Sequence, residues 1–181
     1  QQQNQTISDA DAQEEALEAE AAETRKALDA AAAALDAYLN SQVNKYSDAP
    51  MTCSLNFGPA LPSYTYISCY FGGNGHRGTD FAAPGNTPIY GVADGIVTDA
   101  TYHWSWGNYV QIYHGKDDEG NTYSTLYAHM ISTPAVSAGQ NVTKGQVIGY
   151  VGSTGYSTGN HLHLEMKING VLTNCLNWIP S

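Results

Sequence analysis

Two imidazoles stand two residues apart in Ser157–Glu165, STGNHLHLE. From His161 to Ile168 the residues alternate, which predicts a strand with two unlike faces. Side chains at i and i+2 leave a strand on the same side, so His161 and His163 project together, their backbones roughly 6–7 Å apart. Leu162, Leu164, Met166 and Ile168 go to the other side and are candidate core. Such a pair can supply one metal ligand and one acid–base group. It can equally be two polar residues on a wetted strand face, and spacing alone leaves both readings open.

The other histidines carry weaker signals. His76 lies in GGNGHRGTDF with Asp80 four residues on. On a helix these two would share a face, but Gly72, Gly73, Gly75 and Gly78 predict a loop entering a strand that carries Asp80. Their nitrogen and oxygen donors suit a borderline cation such as zinc, although HxxxD by itself reads more simply as a surface His and a turn Asp. His129, in STLYAHM, ends a predicted strand, where it can reach a pocket; alone it reads as structural. His103 in YHWSWGN and His114 before a glycine have no partner signal and are read as structural, while Tyr102, Trp104 and Trp106 could wall a groove. Taken together, His76, Asp80, His129, His161 and His163 come from different strands of one small domain. A catalytic zinc site needs three protein ligands and one open position, which leaves two imidazoles to move protons and steady charge.

These residues are positioned by a chain of two characters. From about residue 8 to 45 there is no Gly or Pro, and Ala, Glu and Leu dominate, which predicts a long helix ended by Asp48-Ala49-Pro50, with Thr6 or Ser8 as its cap. Leu17, Ala21, Thr24, Leu28, Ala31, Leu35, Tyr38 and Gln42 step by four and three, a heptad-like, Ala-rich seam. Residues 1–49 are therefore read as a coiled-coil segment that needs a partner helix, a second copy or the domain itself; a lone solvated helix is the simpler alternative. From residue 50 to 181 Gly, Tyr, Val, Thr and Ile are frequent. Strands are predicted at Tyr64–Ser68, Pro88–Ala100, Tyr109–His114, Thr122–His129, Val147–Val151 and His161–Ile168. Asp117–Asn121 reads as a hairpin tip and Asn169-Gly170 as a tight turn. The fold class is mainly β: a compact antiparallel β-sheet domain preceded by a long α-helix.

The 181 residues carry a formal net charge of −10, of which residues 1–49 hold −7 and residues 50–181 hold −3. That balance disfavours nucleic acid as a partner. No run approaches the ~20 apolar residues of a membrane span. No basic stretch followed by an apolar one opens the sequence, so an export signal is expected to be absent from it or already removed. Cys53, Cys69 and Cys175 include no CxxC pair. One disulfide in an exported protein and three free thiols in an anaerobe's envelope fit equally well.

HRGTD (His76–Asp80), YAHM (Tyr127–Met130) and GNHLHLE (Gly159–Glu165), in this order, resemble the lysostaphin-type zinc endopeptidases, the M23 or LytM-like class of cell-wall hydrolases. The resemblance runs from about Ser68 to Ile179 and includes GVADGIV, GNYVQIYHG and GQNVTKGQVIGYVGSTGYSTG. It implies His76, Asp80 and His163 as ligands of one Zn2+ per chain, and His129 and His161 as the catalytic histidines; strand geometry does not divide the HxH pair in this way. It further implies hydrolysis of peptide bonds in peptidoglycan stems or cross-bridges, in the cell envelope or outside the cell, by a groove across one sheet. The bond cleaved stays open. Two departures from the family pattern, Cys175 where Pro commonly follows Asn174 and a GNTP turn one residue longer than usual, touch no ligand. Preceding coiled-coil segments in such envelope proteins position, tether or gate the hydrolase. Three rival readings are a non-catalytic wall-binding or activator protein on the same fold, a lipoyl- or biotinyl-type carrier built on VTKGQVIGYV with Lys144 as acceptor, and a metal-storage or purely structural histidine cluster. Relatives that have lost catalysis typically lack ligands or catalytic histidines, and all five residues stand here.

Overall fold

Without Gly or Pro to interrupt it, the N-terminal stretch forms one helix, α1, over Gln2–Asn44. The computed structural model describes the backbone of residues 2–180 and the side chains of residues 13–180. The helix begins earlier than composition predicted, and the capping side chains expected at Thr6 or Ser8 lie outside the described side chains. It ends at Asn44, four residues before the predicted stop at Asp48, in turns closed by Tyr46 N–H to Val43 O (2.9 Å) and Ala49 N–H to Tyr46 O (2.9 Å). The chain divides after Leu39 into two units. In the first, residues 13–31 are exposed throughout, including seam residues Leu17 and Leu28.

The second unit is antiparallel β, as its composition predicted. Its strands are β1 (Tyr66–Cys69), β2 (Thr79–Ala82), β3 (Pro88–Tyr90), β4 (Gly95–His103), β5 (Gly107–Lys116), β6 (Thr122–Met130), β7 (Asn141–Val142), β8 (Val147–Tyr150), β9 (His161–Ile168) and β10 (Val171–Thr173). One sheet runs β1-β2-β9-β6-β5-β4-β7, and β3 and β8 form a separate two-stranded sheet. β2 pairs with His161–Leu164 and β10 with Met166–Ile168, so these two strands lie end to end along one edge of β9 while β6 takes the other. β9 is thus a central strand. Leu162, Leu164 and Met166 are fully buried with Phe81, Ile112 and Tyr127 in the core. The predicted turns at Asp117–Asn121 and Asn169-Gly170 join β5 to β6 and β9 to β10, the latter with both residues left-handed (φ 53° and 77°).

Pro88–Ala100 is not the single strand expected from its apolar run. It breaks at residues 91–94, and its halves β3 and β4 join different sheets. The break places Gly95 where a Cβ would lie 2.6 Å from the Tyr113 carbonyl oxygen, and turns the Val92 N–H onto the Tyr127 hydroxyl at 3.1 Å. β7 was not anticipated, being two residues long. Cys53, Cys69 and Cys175 are free thiols.

His114 is structural, as expected. Its Nδ1–H donates to the Asp94 carbonyl at 2.9 Å, and its Nε2 lies 2.8 Å from Thr125 Oγ1. Complete burial pulls its pKa down to about 4, against the Asp94 carbonyl and carboxylate, which favour the charged ring. The unfolded chain therefore takes up a proton near pH 6.5 that the folded one refuses until about pH 4. The stability due to the neutral ring is complete above pH 6.5 and is lost as pH falls through that window. Urea unfolding of wild type and His114→Gln at pH 7 and pH 4.5 should show the acid loss smaller in the variant by about 2 kcal/mol. An equal loss in both proteins would remove His114 as a source of acid sensitivity.

Candidate metal centre

Strand register lines the site up before any side chain is considered. Cys69 of β1 pairs with Asp80 of β2, Asp80 with His163 of β9, and His163 with Ala128 of β6. Directly opposed residues share a sheet face, so one row crosses four strands. His161 shares His163's face two residues earlier, and His129 follows Ala128 at the end of β6. His76 enters from the loop before β2. The glycines there do what their number predicted: Gly72 and Gly75 are left-handed (φ 81° and 78°), with Asn74 between them at 52°.

All five predicted residues converge. Asp80 Oδ1 lies 2.7 Å from His163 Nδ1 and 3.2 Å from His76 Nε2, and Asp80 Oδ2 lies 3.8 Å from His161 Nε2. The rings of His129 and His161 are 4.5 Å apart between centroids, and those of His129 and His163 are 5.9 Å apart. His103 takes no part; it accepts from the Ser105 N–H at 3.3 Å and packs at a tilt against the rings of Trp104 and Trp106.

Each imidazole has one nitrogen fixed by a partner. His129 Nδ1–H donates to the Thr154 carbonyl (2.8 Å) and His161 Nδ1–H to the Gly159 carbonyl (2.8 Å). Both rings therefore turn Nε2 away from these anchors. His163 Nε2 lies 3.3 Å from Glu165 Oε1, and Glu165 is in turn gripped by Arg77 at 3.1 Å. This row of Arg77, Glu165 and His163 was absent from the sequence reading. Glu165 stands two residues past His163 and so shares its face, a signal available within GNHLHLE. Arg77 also lies over the Trp106 ring at 5.9 Å, and Trp106 is buried rather than part of a groove wall. Its carbonyl accepts the His129 N–H at 2.7 Å. Tyr102 and Trp104 are exposed. His129 itself is left-handed (φ 60°), a conformation costing a non-glycine residue roughly 1–2 kcal/mol and tolerated where surroundings enforce it.

The electrostatics follow from these contacts. Burial alone would raise the Asp80 carboxyl, but hydrogen bonds from His163 and His76 outweigh it and hold the group well below the usual carboxylate range. Burial opposes charge on His163 too, yet the Asp80 and Glu165 carboxylates bring it up to about 9. Burial, aided by the neighbouring His161 and His163, brings His129 down to about 4 against the Thr154 carbonyl.

The donor set fits a zinc ion. Two imidazole nitrogens, from His76 and His163, each face the same Asp80 carboxylate oxygen, and a tetrahedral ion with bonds of 2.0–2.1 Å needs neighbouring donors roughly 3.3 Å apart. The 3.2 Å contact of His76 with Asp80 matches that spacing, whereas the 2.7 Å contact of His163 is at hydrogen-bond distance. Glu165 on the far nitrogen of His163 is the outer carboxylate that metal-ligating histidines characteristically have.

Residues 74–175 match Peptidase family M23. Over 99 residues the chain is 46% identical to peptidoglycan DD-endopeptidase ShyC of Vibrio cholerae, covering 55% of this chain and 22% of the relative. Over 100 residues it is 48% identical to the DD-carboxypeptidase/endopeptidase Mpg of Neisseria meningitidis, covering 55% and 21%. The match thus spans about a fifth of these relatives' length. Among solved structures, a zinc containing peptidase from Vibrio cholerae superposes with a TM-score of 0.58 at 34% identity, over 65% of this chain and 38% of that one. The catalytic domain of the antimicrobial peptidase lysostaphin from Staphylococcus simulans superposes with a TM-score of 0.50 at 29% identity, over 67% and 86%.

Proposed function

Because the chain belongs to peptidase family M23, we propose that it is a zinc-dependent endopeptidase that hydrolyses peptide bonds of bacterial peptidoglycan, in the cell envelope or outside the cell. His76, Asp80 and His163 hold the ion, and His129 and His161 are the catalytic imidazoles. The observation that carries this reading is the convergence on Asp80 of two imidazole nitrogens at 2.7 and 3.2 Å, with two further rings beside them whose Nδ1 atoms are tied to carbonyls. A bound zinc ion supplies Lewis acidity, polarising the scissile carbonyl and acidifying water.

The chain's own residues do the rest. His129 is neutral at pH 7, since burial holds it near 4, so its Nε2 offers a lone pair to the attacking water. Once a ring has taken that proton, its Nε2–H faces the reacting centre as a donor and steadies the oxygen that gains charge. The Thr154 and Gly159 carbonyls keep both rings in the tautomer this requires. Arg77 and Glu165 hold His163 in place. Glu165→Gln keeps the shape and removes the charge; it should weaken zinc binding about 10- to 100-fold in chelator competition. Unchanged affinity would leave Glu165 no part in seating the metal.

The retention of all five side chains in one cluster favours an enzyme over a wall-binding or activator protein. The carrier reading fails on topology, because β7 pairs with β4 and β8 with β3 rather than with each other, and Lys144 Nζ is bonded to Asn56 Oδ1 at 2.9 Å. The helix before the domain is assigned a tethering or positioning role, with its Ala-rich seam available for a partner helix or a second copy. The function is tested by incubating purified peptidoglycan sacculi with zinc-loaded and chelated protein and reading released fragments by mass spectrometry. New peptide amino termini that depend on zinc support it, and the released fragments identify the bond. Protein with stoichiometric zinc that releases no fragment from any wall type refutes the enzymatic reading.

A further inference from the structure

The row of opposed residues that carries Asp80 and His163 begins one strand earlier, at Cys69. Ile67 pairs with Phe81, so a regular ladder would set Ser68 opposite Asp80. A register shift between Ile67 and Cys69 sets Cys69 there instead. Such an irregularity carries an extra residue and re-aims the side chains beyond it, and here it brings a thiol onto the face of the metal centre. The Cys69 sulfur, a His76 nitrogen and an Asp80 oxygen all lie within 4.8 Å of one another. The thiol forms no disulfide, and its hydrogen bond, to the Tyr70 carbonyl, is long at 3.9 Å.

We propose that Cys69 is a fourth protein ligand of the ion held by His76, Asp80 and His163, closing the position that hydrolysis needs open. This rests on the metal reading given above. Zinc accepts sulfur, nitrogen and oxygen donors in one tetrahedral shell, and four protein ligands make a closed, structural-type site whereas three leave room for water. On coordination the thiol proton passes to solvent, one water leaves the ion, and a sulfur–metal bond takes its place; nothing is oxidised or reduced. Cys69 is only partly buried, on the outermost strand of the sheet, so its side chain can turn out again and reopen the site. The chain then carries its own latch on the metal, released when substrate competes for the position or when the thiol is chemically capped.

Cobalt(II) substitution of the full chain tests this, because sulfur-to-cobalt charge transfer absorbs in the near ultraviolet whereas His and Asp ligands give only the weaker visible bands. Wild type should show both features, and Cys69→Ser should lose the ultraviolet band and keep visible bands. Zinc should also protect Cys69 from iodoacetamide, read by mass spectrometry at that peptide, and chelation should restore the reaction. Visible bands without the ultraviolet one, together with alkylation indifferent to zinc, would overturn the latch and leave the three-ligand site standing. Absence of all cobalt bands from wild type would overturn the metal site itself, and the latch with it.

Discussion

His163→Ala will leave the protein without its metal, whereas His129→Ala will keep the metal and lose the reaction. The contrast follows from what each ring touches. His163 Nδ1 is 2.7 Å from the Asp80 oxygen that also faces His76, so removing it leaves two donors in place of three. Two ligands do not hold zinc against water and buffer at the occupancy three can. His129 touches no ligand oxygen; its Nδ1 is tied to the Thr154 carbonyl, and its ring lies beside that of His161. Its loss removes a proton acceptor, for which a fall in turnover of about 10²- to 10⁴-fold is expected. Loss of the ion should cost more, since both the polarised carbonyl and the acidified water go with it. Both variants should stay folded. Glu165 keeps its Arg77 partner in His163→Ala, so no buried carboxylate is stranded. Metal content by elemental analysis, wall digestion and near-ultraviolet circular dichroism, measured on the same preparations, make the comparison. If zinc fell equally in both variants, the division of roles between the rings would be wrong.

Much of this site could be read before any fold was known, for a physical reason. The period of a strand is two, so HLHLE sends His161 and His163 to one side and their leucines to the core, and Leu162 and Leu164 are indeed fully buried. The loop at His76 was legible because four glycines exclude a helix. Contributions that depend on another strand were not legible. Whether Ser68 or Cys69 opposes Asp80 is set by a bulge, and a bulge is a property of a pair of strands. The break after Tyr90 was hidden because residues on both sides of it are apolar, and an apolar run does not reveal which sheet each half will join. The difference between His161 and His163 lies in the partners of their ring nitrogens. One Nδ1 is held by the Gly159 carbonyl two residues before it, whereas the other faces Asp80, 83 positions away in sequence on another strand.

Gly155→Ala will damage the site from a distance, and Gly145→Ala will not. Both glycines are left-handed, at φ 74° and 81°, so an alanine at either pays the same backbone cost, roughly 1–2 kcal/mol. They differ in what surrounds them. A Cβ at Gly145 meets nothing within 4 Å, whereas one at Gly155 would lie 2.2 Å from Gly107 N and 2.6 Å from the Ser105 carbonyl oxygen. Those neighbours are backbone and cannot swing aside. The crowding must therefore move either the 105–107 turn or the loop carrying Thr154. Each holds His129: the Trp106 carbonyl takes its N–H at 2.7 Å, and the Thr154 carbonyl takes its Nδ1–H at 2.8 Å. A catalytic ring displaced by about 1 Å can cost some 10²-fold in rate. Gly155→Ala should accordingly lose activity by about that factor with zinc still bound, and lose more stability in urea than the ~1–2 kcal/mol expected of Gly145→Ala. Equal stability losses, or full activity in Gly155→Ala, would mean that His129 is not held by these two carbonyls in the working enzyme.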